Sequence, residues 1–212
     1  MGSRGRWLAG AMLVLAGTLA GAGVYEDMLH AVNNDDERTV AELLNKGVDV
    51  NSVAPNGDSL LMLAVRHRKP QMVKTVLDAR PRINARNAYG ETALMLAAFN
   101  GQIEVVRQLL DRGAEINHSG WTPLIYAAVH NRVEIGRLLL KQGAQVNAQA
   151  ANGTTALMMA AREGHLQMAL LLLEHGADIN LRNGDGHSAL ALAKAHDRTQ
   201  IAQLLARAGA VE

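Results

Sequence analysis

No cysteine occurs among the 212 residues, so disulfides, thiolate nucleophiles and cysteine metal sites are all excluded. Aromatic residues make up only 3% of the chain, which suits small, closely stacked helices better than a large-residue core. No cluster of lysine and arginine supplies the footprint that nucleic-acid binding needs, and 21 basic residues stand against 20 acidic ones. The G-x-S-x-G elbow, the phosphate-binding G-x-x-x-x-G-K loop and the H-E-x-x-H metal motif are likewise missing. The sequence therefore calls for no catalytic residue, no cofactor and no metal.

One apolar run is present, at the N-terminus. Arg4 and Arg6 precede an uncharged stretch from Trp7 to Leu19, and Ala20-Gly21-Ala22 ends it in an A-x-A arrangement. This is the layout of a secretory signal peptide, residues 1–22, cleaved after Ala22 or, as a second candidate, after Ala20. An uncleaved membrane anchor from Trp7 to about Val24 is the competing reading. Without Arg4 and Arg6 the balance becomes 19 basic against 20 acidic, close to neutral.

The rest of the chain is organised like Asn152 to Asn180. An Asn-Gly turn signal is followed by Thr155, placed to cap a helix over Ala156–Arg162. Glu163-Gly164-His165 breaks that helix. Leu166, Ala169, Leu170 and Leu173 then recur at i, i+3, i+4 and i+7 as the apolar stripe of a second helix. Turn glycines fall at Gly57, Gly90, Gly120, Gly153 and Gly186, and Ser59, Thr92, Thr122, Thr155 and Ser188 follow them as caps. Asparagines at Asn51, Asn84, Asn117, Asn147 and Asn180 keep the same step of 33 residues, with one step of 30.

A period of about 33 residues with a turn and two helices is the signature of the ankyrin repeat. Gly90-Glu91-Thr92-Ala93-Leu94, Gly120-Trp121-Thr122-Pro123-Leu124 and Gly113-Ala114-Glu115-Ile116-Asn117 match that family's G-x-T-P-L and G-A-D-x-N motifs, so the chain resembles ankyrin-repeat proteins from about Tyr25 onward. With the leader, the resemblance is to exported, periplasmic bacterial members. The implied fold class is all-α: a solenoid of six helix-turn-helix repeats with β-turn fingers. It spans one domain, 23–212, with repeats at about 23–52, 53–85, 86–117, 118–148, 149–181 and 182–212. The finger before the fourth repeat is three residues short and should be clipped. Arg68-Lys69-Pro70 and Arg80-Pro81 replace the usual glycines of the second repeat and predict local distortion there.

The resemblance implies work by recognition, on the concave face formed by the fingers and the ends of the first helices. Carried over onto the repeat motif, that face comprises Asn56, Asp58, Arg66 and His67, then Tyr89, Glu91, Phe99 and Asn100. It continues through His118, Trp121, Val129 and His130, then Asn152, Thr154, Arg162 and Glu163, and ends at Asp185, His187 and His196. Tyr89, Phe99 and Trp121 are large rigid side chains at outward positions, as in binding hot spots, whereas Tyr126 replaces an aliphatic residue and reads as core. Met62, Met72, Met95, Met158, Met159 and Met168 lie one repeat apart rather than in a cluster, which favours core filling over Cu(I) binding. His165 and His175 read as structural.

The expectation is an exported monomer that binds another protein, with no nucleic-acid partner and no membrane contact after leader cleavage. It is a scaffold or accessory for a periplasmic enzyme or, alternatively, an inhibitor or immunity protein against a toxin. A Met/His copper carrier is the remote alternative.

Overall fold

The computed structural model describes residues 23–211; the expected leader and its cleavage sites lie outside them. Among the described residues all regular structure is helical, apart from one isolated bridge between Val53 and Ser59. The chain divides after Arg82 into two compact units.

The first unit holds α1 (residues 23–33), α2 (Glu37–Asn45), α3 (Leu60–Arg66) and α4 (Pro70–Asp78). Its core is built from Met28, Ala31, Val32, Val40, Leu60, Leu61, Met72 and Val76. Pro70 occupies the first turn of α4, where its missing N–H costs nothing and its fixed φ suits the helix. The expected distortion reduces to two residues: Arg68 and Arg80 adopt φ of 56°, accepting the left-handed conformation that a glycine would hold without strain.

The second unit pairs α5 (Ala93–Asn100) with α6 (Ile103–Asp111), α7 (Pro123–Val129) with α8 (Val133–Lys141), α9 (Ala156–Glu163) with α10 (Leu166–Glu174) and α11 (Ala189–Ala195) with α12 (Thr199–Arg207). Helices of seven to nine residues are not stable alone in water. Each is held by neighbours: α5, α7, α9 and α11 pack side by side, and α6, α8, α10 and α12 pack behind them. The front helices are buried nearly all round, as Ala93–Ala98 and Ala156–Ala161 illustrate, so the three alanines in each of these two helices let them approach closely. Each front helix starts on a hydroxyl that accepts the third helical N–H: Thr92 from Met95, Thr122 from Ile125, Thr155 from Met158 and Ser188 from Ala191. In α5 and α9 the methionine sulfur accepts the cap residue's own N–H in return. All six methionines singled out above are buried, as core filling requires.

The periodic asparagines are rungs. In the first unit Asn51 Oδ1 accepts the N–H of Arg82 at 2.8 Å. In the second, Asn84, Asn117, Asn147 and Asn180 accept from Glu115, Gln145, Asp178 and Val211 at 2.8–3.0 Å. Every rung spans 31 residues except Asn117–Gln145, which spans 28. The three missing residues are thus taken out of one finger, and the rung still closes. The other fingers close by a pair of backbone bonds, such as Asn87 N–H to Glu91 O with Gly90 N–H to Asn87 O, and Ala150 N–H to Thr154 O with Gly153 N–H to Ala150 O. Among the described residues neither bond has a counterpart at 117–121, where the chain makes a bend.

One core assignment changes. On α10 the fully buried side chains are Met168, Ala169, Leu171 and Leu172, while Leu166, Leu170 and Leu173 are only half-buried. A back helix is covered by its own partner and by the back helices on either side, so its buried arc is wider than one stripe and centred elsewhere. On α1, Met28 is buried and Leu29 half-buried.

Candidate functional site

The second unit brings four rings together along α7, beside the last turn of α5. Phe99, in the last turn of α5, meets Tyr126 edge-on with centroids 6.0 Å apart, and His130 edge-on at 4.2 Å. Trp121, on the clipped finger, tilts against Tyr126 at 5.3 Å. Aromatic pairs in these geometries add about 0.5–1.5 kcal/mol each beyond their buried area, so the cluster is a stiff platform. It is also open: Phe99 is 41% and Trp121 39% exposed. Tyr89 is 76% exposed and makes none of these ring contacts.

Tyr126 is half-buried, not the core residue that its place in the repeat implies. Its hydroxyl donates to Glu91 Oε1 at 3.1 Å. The phenol explains why a tyrosine stands where an aliphatic would: its ring fills the gap between Phe99 and Trp121, and its polar tip needs a partner at the surface. That hydroxyl was the only signal in the sequence.

The carried-over polar positions divide. Asp58, in the first unit, is fully buried and bound by Arg66 Nε at 2.7 Å and by Asn56 Nδ2 at 2.9 Å, so its carboxylate clasps the finger onto α3 and is closed off from solvent. Thr154 is buried as well, its N–H donating to Asn152 Oδ1. Glu91 is half-buried and receives both Tyr126 and Asn87 Nδ2, which makes it a support for the platform. The His118 side chain is 3% exposed; the shortened finger folds it inward instead of out. In these four cases the motif gives the position in the repeat, but local partners decide where the side chain goes.

Others do lie outward. His67, His187, Asp185 and His196 are exposed, and Asn100, Val129 and His130 are half-buried. Arg162 and Glu163 pair with each other, Nη2 to Oε1 at 2.7 Å, a partly exposed bridge worth about 0–1 kcal/mol. Burial, then Arg132 and His165, lowers the His130 imidazole below its usual range, while Glu163 pulls the other way. His165 Nε2 lies 3.0 Å from the Val129 carbonyl and His175 Nδ1 2.9 Å from that of Leu171. Arg198 donates to the Arg162 carbonyl at 3.0 Å. Like His165, it stands just ahead of a back helix and ties it to the front helix of the preceding repeat.

The family model described as Ankyrin repeats (3 copies) matches residues 28–120, 83–150, 115–183 and 146–211. These windows take in nearly all of the described chain, and the protein belongs to the ankyrin-repeat family. Its repeats mark it as a protein-interaction module. No curated protein matches it.

Proposed function

We propose that the protein is an exported accessory or scaffold that holds a periplasmic partner enzyme, and that the Phe99–Tyr126–Trp121 platform is its anchor point. The observation that carries this reading is an exposed, mutually braced aromatic cluster on a chain with few aromatics to spend. Rigid rings lose little freedom on docking and offer large apolar area, which is why Trp and Tyr dominate binding hot spots. Tyr89, Asn100 and His130 would form the polar rim. Among the described residues no helix is long and apolar enough to cross a membrane, and the leader supplies the route of export.

The test is capture from periplasmic extract with the tagged chain. A resident enzyme should be recovered, and Trp121→Ala should weaken its binding roughly 30-fold, the equivalent of about 2 kcal/mol, with the helical CD spectrum unchanged. Unaltered affinity would sink the anchor; recovery of a secreted toxin would replace the accessory role with an inhibitory one. Export is tested separately by sequencing the N-terminus of the recovered protein, expected to begin at Gly23. A chain still beginning at Met1 and sedimenting with membranes would favour the anchor reading.

A further inference from the structure

The clipped finger buries a titratable group for which the fold provides no complete set of partners. His118 Nε2 is inaccessible and has no hydrogen-bond partner among the described residues. Nδ1 stands 3.6 Å from Glu115 Oε2, too far for a good hydrogen bond; the Glu115 backbone hydrogen-bonds the ring, while the Glu115 carboxylate is itself mostly in water. The charged groups that reach the ring are Glu115, from its own arm, and Arg86, from the loop ahead of α5. An imidazole buried with one nitrogen unsatisfied is poorly placed to carry a second proton, because the charged form loses solvation and finds no acceptor at that nitrogen.

The backbone that holds it is weak at the same place. Residues 118–121 lack the pair of finger bonds found at 87–91 and 150–154, so opening this finger breaks fewer bonds than opening the others. Trp121, which stacks on Tyr126, lies three residues along the same bend.

We propose that His118 is an acid-sensitive latch: neutral, it stays tucked beneath the finger and keeps Trp121 on the platform, and on protonation it leaves for water and takes Trp121 with it. Mild acid would then dismantle the binding surface while the remaining repeats stay folded. The regulatory meaning rests on the platform being the partner site, but the latch itself does not.

The direction of the pH effect follows from burial first and Arg86 second, which hold His118 below the usual imidazole range, while Glu115 pulls it upward. The unfolded or opened chain therefore takes the proton more readily. The closed finger's advantage is complete above about pH 6.5, the value of a free imidazole, and drains away as pH falls through it toward the lower value of the closed form.

Trp7 and Trp121 are the two tryptophans of the sequence, so the full chain with Trp7→Phe reports on Trp121 alone. Its emission, titrated without any partner from about pH 7.5 to about pH 5, should shift to the red with a midpoint below about 6.5, while helical CD holds. His118→Gln should abolish the shift and His130→Gln should keep it. Arg86→Gln should raise the midpoint and Glu115→Gln should lower it. A flat wild-type titration, a shift that survives His118→Gln, or one that vanishes with His130→Gln instead would overturn the latch. If His118→Gln does not fold, Arg86→Gln decides, and an unmoved midpoint counts against the proposal. Since no partner is present, failure to find one would sink the proposed function and leave this result standing.

Discussion

Leu139→Ala is expected to destabilise the protein by about 2–5 kcal/mol, the range for truncating a buried leucine. α8 carries three consecutive leucines, and of these only Leu139 is fully buried; Leu138 and Leu140 are half-buried. The same truncation at Leu138 should cost about half as much, because part of its surface is already in water and less of a cavity is left. Position in the stack matters too. α8 touches α6 on one side and α10 on the other as well as its own partner α7, so weakening it loosens two interfaces between repeats. Stability in repeat proteins is roughly a sum of such nearest-neighbour terms. Urea unfolding followed by CD would check this. Equal losses for the two leucines would show that burial in α8 has been assigned to the wrong face, and a broadened transition in Leu139→Ala would report the uncoupling of repeats.

Gly153→Ala should be the most damaging of the finger substitutions, at about 2–4 kcal/mol, and Gly186→Ala should cost only about 1–2. Both glycines hold nearly the same left-handed backbone, with φ of 76° and 79°, so the intrinsic strain of an alanine is common to the two. They differ in their surroundings. A Cβ on Gly153 would come within 3.0 Å of Asn183 Cα and 3.2 Å of the Gly184 nitrogen, whereas one on Gly186 would meet nothing within 4 Å. The obstacle is backbone and cannot rotate aside. To make room, the two fingers must part, which threatens the 2.7 Å bond from Gly184 N–H to the Asn152 carbonyl, worth about 1 kcal/mol net. Thermal melts of the two variants would separate strain from contact, and similar melting temperatures would mean that the fingers are not held together there.

Much of this architecture was legible because each repeat writes the same local instructions. A hydroxyl before an alanine-rich segment, a glycine after it and an asparagine at a fixed distance each act through bonds to near neighbours, so the period exposes them. The three-residue gap before Gly120 could be read in the same way, and it reappears as the one rung of 28 residues. What the period could not resolve was the choice among chemically equivalent neighbours. Leu170 to Leu173 are indistinguishable in sequence, and the two fully buried ones are chosen by where α8 and α12 press on α10. Gly136 is similar: it reads as a flaw in α8, yet a Cβ there would crowd Met168 and Leu171 at 3.1–3.3 Å, so its smallness lets α10 approach.

By itself the sequence determined the kind of fold, the capped starts of the front helices and the asparagine rungs, because these depend on contacts within one repeat or at a constant offset. Only the tertiary structure decided that Asp58 is a clasp, that His118 turns inward and that Tyr126 completes a platform with Phe99 and Trp121. Those outcomes depend on which side chains from different helices meet, and a repeating local code carries no record of that.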